Sequence, residues 1–205
     1  MHLLQRFHDH SSSHDNTATM TARSIILVGN GTSVLDRARG REIDGFDLVG
    51  RFNAYHIKGF EGYVGERTDV WFNVLKASSV GERIRHCYQR VYLHTWQREA
   101  AKDQVVQSFA AVLHPRKFQK IDHSIIDEMV AYADEPDYRC WSTGALAIWL
   151  MLKEHERVTL TGFDWWEREQ HHYGDEAARG GLHVPGVEKR FIDRLANDGR
   201  VRFLS

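Results

Sequence analysis

Short apolar runs alternate with polar segments along the chain, and the first two runs end on asparagine-containing turns. One run, Ile25 to Val28, stops at Gly29-Asn30-Gly31, and the next, Phe46 to Phe52, ends on Asn53. Apolar runs of this length bounded by turn residues are typical of buried strands. Similar runs predict strands over Asp69 to Leu75, Val91 to Trp96 and Arg157 to Phe163, and a last strand through Phe203.

Other segments carry the periodicity of helices. A piece around Gly81 to Tyr88 is expected to be helical, and the segment His114 to His123 is interpreted as a connection. The helix that begins at Ser142 or Thr143 is apolar nearly all round, so we expect it to be buried. Four-residue apolar stripes predict three amphipathic helices, through Val105, Phe109 and Leu113, through Ile125, Met129 and Ala133, and through Val187, Phe191 and Leu195 before a stop at Gly199.

This order of strands and helices predicts an α/β protein with a mostly parallel central sheet flanked by helices. The 205 residues, with 42% hydrophobic content, suit one domain, which we place at residues 24–205. Residues 1–23 are rich in His, Ser, Asp and Thr without apolar periodicity, so they are expected to form a disordered tail. Translation starts at Met1 or at Met20, and the sequence leaves both open.

Composition narrows the range of functions. A formal net charge of -1 gives no argument for nucleic acid as a partner. No apolar run is long enough for a transmembrane segment, and the first residues lack the apolar region of a signal peptide, so a soluble, cytoplasmic protein is expected. Two cysteines, Cys87 and Cys140, are too few for a disulfide framework.

The two asparagines that follow successive strands are candidate ligand-binding residues. Ligands of open α/β sheets bind at the carboxyl ends of the strands, which is where Asn30 and Asn53 are predicted to lie. An asparagine amide both donates and accepts hydrogen bonds without carrying charge, and Gly29 and Gly31 let the backbone approach a ligand closely. The alternative is that both asparagines are ordinary turn residues.

The start of the buried helix is a second candidate site. Ser142, Thr143 and Gly144 would offer hydroxyls, free amides and the positive end of the helix dipole to an anion. A plain capped core helix is the alternative.

The polar segment after Phe163 contains candidate acid–base residues. Histidine exchanges protons near neutral pH, and His172 and His183 lie in this segment, the latter followed by Glu188. The alternative is a metal-dependent hydrolase that uses His171, His172 and His183 as ligands. The chain has no H-E-x-x-H helix, and Pro185 and Gly186 keep His183 and Glu188 from sharing a regular helical face, which favours the acid–base interpretation.

These stretches, taken in order, resemble the four sialyl motifs of the glycosyltransferase family 29 sialyltransferases. The GNG turn with Arg51-Phe52-Asn53 resembles the long motif, and Ser142-Thr143-Gly144 with the strand that follows resembles the short one. His172-Tyr173 with Asp175 looks like the third motif, and His183-x₄-Glu188 looks like the last and shortest.

The resemblance implies a Rossmann-like domain of the GT-A variant and an inverting transfer of sialic acid from CMP-sialic acid to a hydroxyl of a glycan or glycolipid. In this reading Asn30 and Asn53 hold the CMP group with Ser142 to Gly144, and His172 and Tyr173 surround its phosphate. His183 is the general base, and Glu188 positions it or the local backbone. No metal and no cofactor beyond the donor are implied.

The chain also departs from the family pattern. Gly174 stands where an aromatic residue is usual, which puts one wall of the pocket in doubt. Ile25 and His155 stand at what look to be the positions of two cysteines that form a disulfide in animal Golgi members. Two alternatives stay open: a transferase that uses CMP-Kdo as donor, and a nucleotide-binding module that has lost transfer activity.

Overall fold

A computed structural model describes residues 23–74, 86–94, 118–165, 172–174 and 183–205. In this part of the chain seven strands form one sheet in the order β5-β4-β3-β2-β1-β6-β7, and every pair of neighbouring strands is parallel. The strands are β1 (Ile25–Val28), β2 (Leu48–Phe52), β3 (Val70–Asn73), β4 (Arg90–Leu93), β5 (Phe118–Lys120), β6 (Val158–Thr161) and β7 (Val201–Phe203).

Helices follow the strands in the described segments. A 3₁₀ turn at Thr32–Leu35 comes directly after the GNG turn. The α-helices are α1 (Gly40–Asp44), α2 (Glu61–Val64), α3 (Ser124–Ala133), α4 (Thr143–Met151) and α5 (Pro185–Asn197).

The central strands are buried on both faces of the sheet. Every residue of β1, β2 and β3 is buried, as a parallel sheet covered on both sides requires. Along β1, Ile25 and Leu27 pack into the core beneath α3, α4 and α5, whereas Ile26 and Val28 pack on the other face with residues of α1 and α2. Successive side chains of a strand point to opposite faces, so one short run supports both layers.

The strand order creates a switch point beside β1. The chain adds β2, β3, β4 and β5 on one side of β1 and then returns to add β6 and β7 on the other side. The loops that leave the carboxyl ends of β1 and β6 therefore diverge from adjacent strands. In open parallel sheets this crevice is where ligands bind.

The predicted α/β class with a mostly parallel sheet is confirmed, and so is the stop of the last helix. Gly199 has a φ of 72° and donates its backbone N–H to the carbonyl of Ala196, just after α5 ends. Ile125 and Met129 are buried on α3, as their spacing predicted.

Three local predictions are wrong. Residues 86–88 are not helical, because Tyr88 stacks on Trp71 at 5.2 Å and its hydroxyl hydrogen bonds to that of Tyr55 at 2.8 Å. The connection predicted up to His123 contains β5 and the start of the turn into α3. The second strand begins at Leu48, because Phe46 still donates its N–H to Ile43 in the turn that ends α1.

Other predictions fall on residues that the structure does not describe. These are the tail at residues 1–22, the helix through Val105, Phe109 and Leu113, the segment 81–85, the strand ends at Leu75 and Trp96, and the polar residues His171 and Asp175.

Candidate active site

The GNG turn lies at the switch point and is pressed against the loop that follows β6. Gly29 donates its N–H to the carbonyl of Thr161 at 2.8 Å, and Gly31 donates to Gly162 at 2.9 Å. A Cβ on Gly29 would lie 2.2 Å from the carbonyl oxygen of Gly162, so no side chain fits there. Backbone hydrogen bonds thus hold the two strand-end loops directly against each other, and Asn30 lies in the middle of the turn.

Asn30 presents a hydrogen-bond acceptor that the protein leaves unused. Its Nδ2 donates to the carbonyl of Phe52 at 3.2 Å, at the end of β2. Its Oδ1 is buried and has no hydrogen-bond partner within the structure. A buried acceptor left unpaired costs about 1–3 kcal/mol, so this atom is suited to receive a donor from a ligand.

Asn53 is fixed in the complementary way. Its φ is 45°, a left-handed conformation that asparagine tolerates better than most residues. Its N–H donates to the carbonyl of Phe72 at 2.8 Å, and its Oδ1 accepts from Val74 at 3.1 Å. Its side-chain acceptor is therefore occupied, while no hydrogen bond engages its Nδ2 in the described structure. Asn30 offers an acceptor and Asn53 offers a donor at neighbouring strand ends.

Asp164 stabilises the turn from the opposite loop, and the sequence analysis missed it. Its Oδ2 accepts from the backbone N–H of Ser33 at 3.0 Å and from the hydroxyl of Thr32 at 3.4 Å, and its Oδ1 accepts from the Ser33 hydroxyl. A carboxylate at the start of a helical turn pairs with free amides and with the dipole. An acidic residue directly after a buried strand and a Gly-Phe pair was the signal available in the sequence.

Residues 172–174 join the site through their backbone. Tyr173 donates its N–H to the carbonyl of Asn30 at 2.8 Å, which places His172 next to the GNG turn along the chain. The ring of Tyr173 is buried, packs against Phe60 with centroids 5.2 Å apart, and donates its hydroxyl to the carbonyl of His56 at 2.7 Å. The phenol thus anchors this segment in the core of the α2 face, and its predicted contact with the phosphate stays a prediction.

Gly174 is required by its conformation. Its φ is 82°, a region that side chains rarely adopt, and a Cβ there would lie 2.9 Å from Cδ2 of His56. An aromatic residue would displace His56. A glycine at position 174, where the family pattern has an aromatic residue, therefore fits the close packing against His56.

Ser142 caps α4, as predicted, and Glu188 holds the cap. Ser142 Oγ accepts from the N–H of Ala145 at 3.1 Å. Glu188 on α5 accepts from the Ser142 N–H at 2.7 Å and from its hydroxyl at 2.6 Å, and its Oε1 also accepts from the Tyr138 hydroxyl at 3.1 Å. Glu188 is only 1% exposed, and this burial raises the pKa of its carboxyl above the ordinary range despite the hydrogen bonds from Ser142.

Phe163 brings the start of α4 to the switch point. A Cβ on Gly144 would lie 3.0 Å from Cε1 of Phe163, and Phe163 packs edge-on against Phe52 with centroids 5.6 Å apart. The residue before Asn53, the loop after β6 and the first turn of α4 therefore meet around one aromatic ring. Two of the predicted donor-binding segments, the strand end at Asn53 and the first turn of α4, thus meet at the loop after β6.

His183 is oriented by a backbone carbonyl. Its Nδ1 lies 2.7 Å from the carbonyl oxygen of Cys140, and since a carbonyl only accepts, Nδ1 carries the proton. In the neutral ring Nε2 is then the basic nitrogen. Glu188 Oε1 lies 3.8 Å from the same Nδ1, and the His183 side chain is 20% exposed. His183 and Glu188 thus lie close together, and the hydrogen bonds of Glu188 go to the N–H and the hydroxyl of Ser142.

His94 at the carboxyl end of β4 is a further histidine on this edge. It is buried, and its ring centroid lies 6.0 Å from that of His123. Burial lowers the pKa of His94 to about 4, and electrostatic interactions with His123 and His183 act in the same direction. Its imidazole is therefore neutral at pH 7. The sequence signal was a histidine that ends a buried strand, within a run interpreted only as packing.

The described residues contain no group of three or more metal-ligating side chains placed to hold an ion. His172 and His183 are described and His171 is not, so the three-histidine alternative lies partly outside the structure.

Comparison with known proteins identifies the family. The sequence model of glycosyltransferase family 29 (sialyltransferase) matches residues 1–73 and 70–200. The chain belongs to this family. The two matched ranges together contain all four stretches that resemble the sialyl motifs.

Similar proteins include sialyltransferases of mammals. The lactosylceramide alpha-2,3-sialyltransferase of Rattus norvegicus is 24% identical over 221 residues, which cover 89% of this chain and 57% of the relative. The CMP-N-acetylneuraminate-beta-1,4-galactoside alpha-2,3-sialyltransferase of Homo sapiens is 40% identical over 52 residues, 25% of this chain and 14% of the relative. The chain thus spans less than two thirds of the length of these relatives.

A solved structure supports the fold. The crystal structure of a mammalian sialyltransferase in complex with Gal-beta-1-3GalNAc-ortho-nitrophenol superimposes with a TM-score of 0.65 at 21% identity, covering 89% of this chain and 69% of that one. The glycosyltransferase 29 chain described here contains, in its described residues, no helix both long and apolar enough to span a membrane.

Proposed function

We propose that the chain transfers sialic acid from CMP-sialic acid to a hydroxyl group of a glycan or glycolipid, with inversion at the anomeric carbon. The observation that carries this proposal is the orientation of His183. Its Nδ1–H is bound to the Cys140 carbonyl, and it lies beside a helix N-terminus that Glu188 holds in place. Family membership and the names of the similar mammalian enzymes support the choice of donor.

The proposed step requires one base and one stabilised leaving group. The basic Nε2 of His183 takes the proton of the acceptor hydroxyl while its oxygen bonds to the anomeric carbon of the donor. The bond between that carbon and the phosphate oxygen breaks, and CMP leaves with the electron pair. Attack from the face opposite the leaving group inverts the centre.

The donor side would be held by the strand-end asparagines and the first turn of α4. Asn30 Oδ1 is suited to accept from the cytidine or ribose part of CMP, and Asn53 Nδ2 is suited to donate to it. The amides and dipole of α4 would favour the phosphate, and His172, next to the GNG turn, would stabilise its charge as it leaves. We infer that hydrogen bonds and one protonated histidine suffice for a single phosphate, so that no metal is required.

A transfer assay tests this proposal. Purified protein is incubated with CMP-sialic acid or CMP-Kdo, with lactosylceramide or lactose as acceptor, with and without EDTA. The proposal predicts a sialylated product and equal rates with EDTA. Transfer only from CMP-Kdo would reassign the donor, and activity that disappears with EDTA would contradict the metal-independent step. Release of free sugar without a transfer product would favour a hydrolase.

A further inference from the structure

A basic cavity lies at the edge of the sheet opposite the candidate active site. It has a volume of about 200 Å³ and lies at the amino ends of β1 and β6. Arg23 precedes β1, Arg157 precedes β6, and Arg202 lies on β7 beside them; all three residues are exposed and line the cavity. His155 and Thr159 are buried lining residues, and Glu156 is an exposed one.

The arginines are positioned without being neutralised. Arg157 donates through Nε to the carbonyl of Gly199 at 2.8 Å, and Arg202 donates through Nε to the hydroxyl of Thr159 at 2.8 Å. Both bonds use the inner nitrogen of the guanidinium, and both acceptors are uncharged. None of the three arginines forms an ion pair within the part of the chain that the structure describes.

Two carboxylates lie near this charge. Asp47 accepts from the N–H and hydroxyl of Ser24, both at 2.8 Å, and these hydrogen bonds, with a smaller contribution from the charge of Arg23, lower the pKa of its carboxyl. Glu156 lines the cavity, and no ion pair among the described residues joins it to any of the three guanidiniums. Three arginines thus outnumber two carboxylates, and the cavity keeps a net positive charge.

His155 fixes the segment that carries Arg23. Its Nδ1 lies 2.9 Å from the carbonyl oxygen of Arg23, and since a carbonyl only accepts, Nδ1 donates this hydrogen bond. The buried imidazole thereby holds the backbone of Arg23 at the wall of the cavity.

We propose that this amino-edge cavity binds a phosphate group. Guanidinium groups donate pairs of parallel hydrogen bonds to phosphate oxygens, and an ion with four oxygens can engage two or three arginines at once. The volume suits a phosphate group and is too small for a whole nucleotide sugar. The site is distinct from the proposed donor site, because it lies at the opposite ends of the same strands. The phosphate can be free or part of a lipid headgroup.

Calorimetric titration with inorganic phosphate at constant ionic strength tests the site. Arg157→Gln and Arg202→Gln remove one charge each, and Arg41→Gln, an exposed arginine on α1 outside the cavity, is the matched control. We expect each cavity variant to bind phosphate about ten-fold more weakly or worse, since one charge-assisted hydrogen bond is lost. The control and the transfer rate should be unchanged, and Arg202→Lys should bind with intermediate affinity.

Asn30→Ala separates this site from the proposed donor site, because phosphate binding in the cavity should survive that substitution. The same variants are then mixed with phosphatidylcholine vesicles with and without phosphatidic acid. Arginine-dependent binding to free phosphate, to the phosphatidic acid vesicles or to both supports the site and identifies the source of the phosphate. The proposal is overturned if neither probe binds, if binding is equal in the cavity and control variants, or if Asn30→Ala alone abolishes it.

Discussion

Asn30 and Asn53 use opposite ends of their side-chain amides within the protein: Asn30 its donor and Asn53 its acceptor. Asn30 donates through Nδ2 to the Phe52 carbonyl, and its buried Oδ1 has no partner among the described residues, whereas the Oδ1 of Asn53 accepts from the N–H of Val74. A ligand that both donates and accepts, as a nucleotide does, would satisfy both side chains. The sequence placed both residues at strand ends, but it gave no means of knowing which atom of each amide the protein itself uses.

Asn30→Ala and Asn53→Ala should each weaken CMP binding by roughly ten-fold, the effect of one lost hydrogen bond to a polar ligand. Titration calorimetry with CMP measures this. Asn73→Ala is a poor control because Asn73 is buried in β3, so Asn197→Ala, at the end of α5, serves instead and should bind CMP like the wild type. Equal affinity in all variants would remove both asparagines from the donor site.

His94 should make the protein less stable in mild acid. Its pKa is lowered to about 4 in the folded state, whereas an unfolded histidine titrates near 6.5. The unfolded state therefore binds the proton first, and stability present above pH 6.5 is lost as the pH falls toward 4. Between pH 7 and pH 5 this amounts to about 2 kcal/mol in the free energy of unfolding.

Denaturant unfolding at pH 7 and pH 5 measures this loss, with His94→Gln as the comparison, because glutamine does not titrate. We expect the variant to lose less stability than the wild type over this interval. A loss of the same size in both proteins would assign the pH dependence to other groups.

Among the helices, α4 was predicted from its own sequence, but the contact that holds its first residue was not. Its sequence predicted a buried helix with Ser142 or Thr143 as the cap, and the structure has the helix from Thr143 with Ser142 as its cap. What the sequence did not reveal is that Glu188 of α5 binds both the N–H and the hydroxyl of Ser142, because that contact joins residues 46 positions apart. From the sequence, Glu188 was expected to position either His183 or the local backbone, and its hydrogen bonds to Ser142 favour the second role.

Ser142→Ala should destabilise the protein by about 1–2 kcal/mol, because it removes the cap of α4 and leaves Glu188 with one hydrogen bond fewer. Thermal or denaturant unfolding measures it. Ser124→Ala is the control: Ser124 is an exposed residue of the first turn of α3, and its side chain bonds to the exposed Asp122 two residues before it. A loss no greater than the control's would mean that the cap adds little.

Short elements were the ones that the sequence did not predict. The helices α1 and α2 have 5 and 4 residues, too few for a four-residue apolar stripe to repeat. The edge strand β5 has two exposed residues out of three, so it lacks the apolar run that marked the central strands. Tyr88 was misassigned because its partners, Trp71 and Tyr55, come from distant segments.

For the molecule as a whole, a parallel sheet with one switch point brings distant motifs together. The alternation of strands and helices predicted the α/β class. The pairing of β1 with β6 joins residues more than 130 positions apart, so no short stretch of sequence predicts it. Once that pairing is made, the GNG turn, Phe163 and the start of α4 lie side by side. The same pairing creates the basic cavity at the other edge, where Ile25 and His155 both line the wall.

The role of His183 as the base is tested by sialic acid transfer and CMP affinity in the wild type and in His183→Ala. The matched control is His86→Ala, at an exposed histidine on another part of the chain. We expect His183→Ala to lose roughly 10²- to 10⁴-fold in transfer rate, the effect of a lost general base, while it binds CMP like the wild type. The His86→Ala protein should behave as the wild type in both assays. A His183→Ala protein that still transfers at the wild-type rate would contradict the central claim that this histidine is the base.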